Sequence, residues 1–137
     1  MKALIDTNVI LDVLIGREYH VEMSSKLLKL CGAQITGMIL ASQTTDIFYL
    51  LCREGKTEEE AKAIIRKLTE NIKVLDVFAT DTTTALNSDM TDYEDALLAY
   101  SAKRHKADYI VTRNERDFAN SPIPALSPQD FIEKYFG

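Results

Sequence analysis

The spacing of apolar positions changes repeatedly along the chain, and each change marks an element. Lys2-Ala3-Leu4-Ile5-Asp6 is a short apolar run closed by an acid. Val9, Ile10, Val13 and Leu14 then recur at helical spacing, which predicts strand, turn and helix in that order. A second helix is predicted from about His20 to Cys31, where Leu27, Leu28 and Cys31 share a face and Gly32 supplies the stop. Gln34 to Met38 reads as a second strand, and Ala41 to Arg53 as a helix. Ile47, Phe48, Tyr49, Leu50 and Leu51 make that helix's apolar block wider than one buried stripe, so a protein partner is expected over part of it. Thr57 with Glu60 three residues on is a capping box, followed by the single face of Ala61, Ile64, Ile65 and Leu68.

Farther along, Lys73 to Val77 reads as strand and Thr80 to about Asn87 as a short helix. Asp92 opens a helix bearing Ala96, Leu97, Ala99, Tyr100 and Ala102, and Asp108 to Thr112 reads as a buried strand. Ala125-Leu126 is a last short strand, and Ser127-Pro128 opens a terminal helix through Phe131, Ile132 and Tyr135. Strands alternate with helices throughout. The expected fold is α/β, with a mainly parallel sheet of about four to five strands and helices on both faces, in one domain spanning residues 1–137.

Composition narrows the picture without changing it. At 137 residues, 46% of them hydrophobic, the chain is large enough to bury one core. No apolar run reaches the roughly 18 residues of a membrane span, and MKALID lacks the pattern of a secretion signal, so a cytoplasmic location is expected. Cys31 and Cys52 lie on apolar faces without CxxC spacing and are read as buried thiols. The net charge of −5 argues against a general nucleic-acid binder, since such proteins use excess Lys and Arg to displace counterions. Acids converging on a divalent ion would have their charge neutralised locally, leaving a modest basic rim free to hold a polyanion.

The candidate chemistry lies in acids placed where strands end. In open α/β sheets, ligands bind beyond the carboxyl ends of the strands. Asp6 ends the first strand, and Asp117 follows the Asp108 to Thr112 strand by a few residues. Asp92 and Asp95, three apart, share one face of a first helical turn. Each acid also has a purely structural reading. Asp6, Asp92 and Asp117 suit helix or turn caps, Asp95 suits the positive helix terminus, and Asp46 and Asp12 suit solvated helix positions.

These residues resemble the PIN-domain nucleases, the fold shared by VapC-type toxins of bacterial toxin–antitoxin pairs, and the resemblance covers nearly the whole chain. LIDTNVILDVL is similar to the family's opening strand and first aspartate, here Asp6. DYEDALLAYSA resembles its central helix, with the acid falling on Asp95, and TRNERDF resembles its closing motif, with Asn114 and Asp117 at the polar positions. The form of these motifs looks most like a PIN subgroup of uncharacterised bacterial proteins. One departure stands out: where the family has a glutamate on the helix after the second strand, this chain has Asp46.

The resemblance implies a carboxylate site in which Asp6, Asp95 and Asp117 hold Mg²⁺ or Mn²⁺ and Asp46 assists. Such a site cleaves RNA to leave 5′-phosphate and 3′-hydroxyl ends. Hard oxygen donors agree with that choice of ion. Asn8, Asp92, Thr112, Asn114 and Ser42 are expected to position the acids, and Arg113 and Arg116 to contact phosphate. Lys103, Arg104 and Lys106 read as a solvated helix end, and His20 and His105 as surface or helix-end residues. An RNA substrate, an antitoxin and a second copy of the chain in a homodimer are the expected partners. A PIN-like module that binds RNA or protein with little turnover is the alternative, favoured by Asp46 and the acidic balance. Haloacid-dehalogenase-like phosphatases also open on a strand-end aspartate, but they need a second acid where this chain has Asn8.

Overall fold

The computed structural model describes all 137 residues. In chain order the elements are β1 (Lys2–Ile5), α1 (Thr7–Leu14), α2 (Val21–Leu30), β2 (Thr36–Leu40), α3 (Ala41–Arg53), α4 (Glu58–Leu68) and β3 (Lys73–Leu75). There follow α5 (Ala79–Leu86), α6 (Tyr93–Arg104), β4 (Tyr109–Val111), a 3₁₀ turn (Glu115–Phe118), β5 (Ala125–Leu126) and α7 (Pro128–Tyr135). The five strands form one parallel sheet in the order β3-β2-β1-β4-β5. The chain builds outward on one side of β1 and then crosses to the other, so the order reverses between β1 and β4. A crevice opens there beyond the carboxyl ends of these strands, and Asp6 and Thr112 are the first residues past them.

The central strands β1, β2 and β4 are apolar on both faces because each face meets a different helical layer. Ala3, Ile5, Ile39 and Val111 pack with Val9, Ile10, Leu27, Ile47, Leu51, Ala61 and Phe131 of α1, α2, α3, α4 and α7. Their sequence neighbours Leu4, Met38, Leu40 and Ile110 point the other way, onto Ala85, Ala96, Ala99 and Ala102 of α5 and α6. Alanines in α6 let that helix lie close to the sheet. No helix is long and apolar enough to cross a membrane.

The differences from the sequence reading have local causes. β2 starts at Thr36 rather than Gln34, because the amides of Ala33, Gln34 and Ile35 all turn back to the Leu30 carbonyl. β3 ends at Leu75, and α5 begins early because Asp81 reaches back to accept the Phe78 amide at 2.8 Å. The wide apolar block of α3 is largely used internally: Ile47 and Leu51 are fully buried, and half-buried Phe48 packs on the same core, with α4 alongside. Tyr49, 65% exposed, and half-buried Leu50 lie outside it.

Two assignments of charged residues are corrected. Asp12 is fully buried, not solvated, and accepts a bond from the Ser24 hydroxyl at 3.1 Å, tying α1 to α2. Arg104 is no solvated helix end. Its guanidinium grips the buried Asp81 carboxylate through Nε at 2.8 Å and Nη2 at 2.9 Å, donates to the Asp76 carbonyl and lies over the Phe78 ring. Burial raises the Asp81 pKa, but the bonds from Arg104 and the Phe78 amide outweigh it and hold the carboxyl below its ordinary range. Lys103 and Lys106 are exposed, as is usual for a helix end.

Both cysteines are free thiols. Cys31 is buried, with its thiol pushed up to about 12 by desolvation, and Cys52 is half-buried. The Cys31 side chain also explains Gly37 in the middle of β2, where an added Cβ would lie 2.3 Å from its Sγ. Gly37→Ala is therefore expected to destabilise the protein by about 1–3 kcal/mol through overpacking, read by urea denaturation. An unchanged midpoint and slope would refute this tight contact.

Candidate functional site

Asp6 belongs to both the sheet and the first helix. Its amide donates to the Val111 carbonyl at 2.9 Å, continuing the β1–β4 ladder one residue beyond the strands. Its side chain is the α1 N-cap, with Oδ1 accepting from the Thr7 amide at 2.7 Å. Oδ2 accepts from the buried Thr112 hydroxyl at 2.8 Å and, at a longer 3.4 Å, from the Asn8 amide. The structural and chemical readings of Asp6 are thus compatible, because the cap and Thr112 fix the carboxylate at the crevice while leaving lone pairs on both oxygens. Burial raises the Asp6 pKa against these bonds and the nearby Arg113 charge, and the Asp117 charge adds to the rise.

Gln43 is a further support that the sequence reading passed over. Buried at the start of α3, it donates from Nε2 to the Ile5 carbonyl at 2.8 Å and to the Thr7 hydroxyl at 3.2 Å. Its Oε1 accepts from the Leu40 amide at 2.7 Å, so one side chain locks the ends of β1 and β2 together. A polar residue in the first turn of a helix that follows a buried strand was the available signal. Ser42, expected to do this work, is exposed and makes no side-chain hydrogen bond.

The first turn of α6 brings three acids to the same crevice. Asp92 is the N-cap, its Oδ1 accepting from the Asp95 amide at 2.9 Å. Asp95 carries the largest shift among the acids, pushed up to about 7 by burial first and then by the charges of Asp92, Asp6, Asp117 and Glu94. Glu94 was not among the expected residues. Its pKa is raised by burial and then by Asp46, Asp92 and Asp6, so it stands between the α6 acids and α3. The run Asp92-Tyr93-Glu94-Asp95, three acids in a single turn, was the signal for it.

The remaining candidates lie at the rim. Asp117 is exposed in the 3₁₀ turn and acts electrostatically on both Asp6 and Asp95. Asp46 is exposed on α3, and its charge is felt at Glu94. Asn114 gives its amide to the Thr112 hydroxyl at 3.0 Å, which turns that hydroxyl's proton toward Asp6; its own side chain makes no hydrogen bond. Arg116 is exposed and makes no ion pair. Arg113 is partly committed elsewhere. Its Nε lies 2.8 Å from Asp12 Oδ2, an ion pair in which the N–H is not aligned on the oxygen, and its Nη1 lies 3.2 Å from His20 Nε2. His105, at the end of α6, sits 2.9 Å from the Asp76 carbonyl and far in function from these acids.

The donor set suits a hard divalent cation: carboxylate oxygens only, already oriented at Asp6, with burial and then the neighbouring charges pushing Asp95 up to about 7. In the present conformation no three His, Cys, Asp or Glu side chains converge closely enough to share an ion. Asp46, Asp92, Glu94 and Asp117 are all exposed, so the acids stand at an open mouth. An open mouth admits a chain-like substrate more readily than it encloses a small one.

Comparison with known proteins agrees with this geometry. Residues 2–116 match the family model described as the PIN domain. The backbone is similar to a chain of the Rickettsia felis VapBC2 complex bound to a promoter DNA fragment, at 18% identity and TM-score 0.72, covering 93% of this chain and 98% of that one. It is similar to a chain of FitAcB from Neisseria gonorrhoeae at 18% identity and TM-score 0.68, with the same coverage. It is also similar to Mycobacterium tuberculosis VapC20, described as a sarcin-ricin loop cleaving toxin, at 14% identity and TM-score 0.63, covering 79% of this chain and 86% of that one. No curated protein sequence matches the chain. At these identities the structural likeness is one of fold.

The raised pKa of Asp95 has a measurable consequence. Its folded value of about 7 lies above the ordinary 3.8, so the folded state keeps a proton that the unfolded chain releases. The stability this contributes is fully present below the ordinary value and is lost as pH rises toward 7. In EDTA, Asp95→Asn is expected to raise the melting temperature at pH 8, with a smaller gain at pH 5. A lowered melting temperature at pH 8 would show that Asp95 is not under repulsion.

Proposed function

The chain belongs to the PIN domain family, and on that premise we propose that it is a metal-dependent endoribonuclease hydrolysing phosphodiester bonds in RNA. Asp6, Asp95 and Asp117 hold Mg²⁺ or Mn²⁺ in this reading, and Asp46 lies at the edge of the set. Glu94 supplies the carboxylate that the family resemblance expects from α3. The observation that carries the reading is the gathering of Asp6, Asp95, Asp117 and Glu94 where the strand order reverses, with burial first and neighbouring charges second raising the pKa values of Asp6, Asp95 and Glu94. A divalent cation would relieve the repulsion among these acids.

The ion, when bound, supplies a water of lowered pKa and positive charge for the leaving oxygen. The chain's own residues do the positioning. Thr112 and the Thr7 amide hold the Asp6 carboxylate, Asn8 and Asp92 brace the neighbouring turns, and Asn114 orients Thr112. Arg113 and Arg116 flank the mouth and contact phosphate, attracting an RNA strand to a chain that is otherwise acidic. No nucleophilic side chain is needed.

By likeness to the toxin–antitoxin complexes, the protein acts in the cytoplasm as the toxin of such a pair, restrained by an antitoxin protein. Exposed Tyr49 on α3 and the half-buried Phe48 beside it are suited to an interface, with either the antitoxin or a second copy in a homodimer. The alternative, a PIN-like module that binds RNA without turnover, rests on the exposed position of Asp46.

With Mn²⁺ and end-labelled single-stranded RNA, the wild type is expected to cleave. Asp6→Asn and Asp95→Asn should each lose on the order of 100-fold or more in rate, and Thr112→Val roughly 10-fold. Equal cleavage by wild type and both aspartate variants would defeat the assignment. Binding without cleavage by the wild type would favour the non-catalytic module.

A further inference from the structure

Behind the acidic mouth lies an ion pair that the proposed chemistry leaves idle. Asp12 of α1 is fully buried, and buried Ser24 donates its hydroxyl to Asp12 Oδ2 at 3.1 Å. A carboxylate out of water is tolerated only beside counter-charges, and two guanidinium groups supply them. Arg17 Nη1 donates to Oδ1 at 3.3 Å, and Arg113 Nε lies 2.8 Å from Oδ2. One guanidinium and one hydroxyl are enough to neutralise and bond this carboxylate. The second guanidinium is held there although its Nε–H, buried and unaligned, finds no acceptor. Arg113 is also tied to Asp6 by two routes. Its amide donates to Asn8 Oδ1 at 3.4 Å, and the Asn8 side-chain amide donates to Asp6 Oδ2 at 3.4 Å. The residue before it, Thr112, gives its hydroxyl to that same oxygen at 2.8 Å.

An arginine so placed has two carboxylates to choose between. Asp6 keeps lone pairs on both oxygens, and a guanidinium turned toward them would take them in a bidentate pair, closing the position a cation needs. Asp12 competes from behind, at close range and away from water, where attraction is little screened. The Arg113 charge is still felt at Asp6, so the two groups are near enough for the choice to matter. We propose that Asp12 is a positioning residue for the cation site, holding the Arg113 guanidinium off Asp6 so that the Asp6 oxygens stay open to a divalent ion. It touches neither ion nor RNA and acts only through Arg113. The proposal rests on the cation-site reading above and assigns a role to the one buried acid which that reading does not use.

The experiment is a Mn²⁺ titration of the metal-free full-length protein, read from the electron paramagnetic resonance signal of the unbound ion, with folding checked by circular dichroism. Asp12→Asn should bind Mn²⁺ about tenfold more weakly than wild type. Adding Arg113→Gln to it should restore the affinity of Arg113→Gln alone, since no guanidinium is left to compete. Arg17→Gln leaves Asp12 to Arg113 and should bind at least as tightly as wild type. In cleavage, the Asp12→Asn rate should approach that of wild type as Mn²⁺ is raised, because the guanidinium and the ion compete for the same oxygens. Unchanged affinity in Asp12→Asn, or a loss that Arg113→Gln does not reverse, overturns the proposal and leaves the pair a clamp between elements. Where Asp12→Asn does not fold, weaker binding by Arg17→Gln, or by the double variant than by Arg113→Gln, overturns it. A wild type that shows this order but cuts no RNA removes the nuclease reading alone. Binding indifferent to Asp6→Asn removes the cation site, and the proposal with it.

Discussion

Across the seam between β1 and β4, the Thr112 hydroxyl donates to Asp6, and the Asp6 amide donates back to the strand that precedes Thr112. The rest of the site depends on this pair of contacts. Parallel pairing of β1 with β4 sets the two residues side by side, and that pairing exists because Leu4 and Ile110 fill one core while Ile5 and Val111 fill the other. A shift of one residue in register would turn every one of these side chains to the wrong face. Core packing therefore fixes the position of a polar group that packs with none of it. Gln43 repeats the arrangement from the other side, bonding the ends of β1 and β2.

Onto this fixed point the structure brings charges that do not favour one another. Asp95 and Glu94 come from α6, Asp117 from the 3₁₀ turn after β4 and Asp46 from α3, and each raises the cost of ionising another. A fold tolerates such repulsion when its core is secure, and here two separate cores clamp the sheet. The positive groups are displaced to one side, where Arg113 and Arg17 share the buried Asp12 and His20 stands beside them.

Much of this was legible in the sequence, for physical reasons that differ from residue to residue. Strands buried on both faces read as continuous apolar runs, so the parallel sheet and its helical layers followed directly. Asp6 was legible because an acid directly after a buried strand must lie at the sheet's carboxyl edge. Asp12 was not: a helical acid looks the same in sequence whether it meets water or, as here, Ser24 and two arginines brought by other elements. Arg104 was hidden in the same way, since its partner Asp81 belongs to a different helix. Glu94 was missed because attention to caps picked out Asp92 and Asp95, while its neighbour Asp46 arrives only through the fold. Gln43 was harder to see because its bonds run to backbone carbonyl and amide groups of other elements, so only its place in the first turn after a buried strand marked it.

The central claim is that these acids form one cation site built on Asp6. Crystals soaked in Mn²⁺ and measured at the manganese absorption edge test it most directly. The account predicts an anomalous peak between the Asp6 and Asp95 carboxylates, within coordination distance of both. A peak bound only elsewhere, with Asp6 and Asp95 contacting no ion, would contradict it.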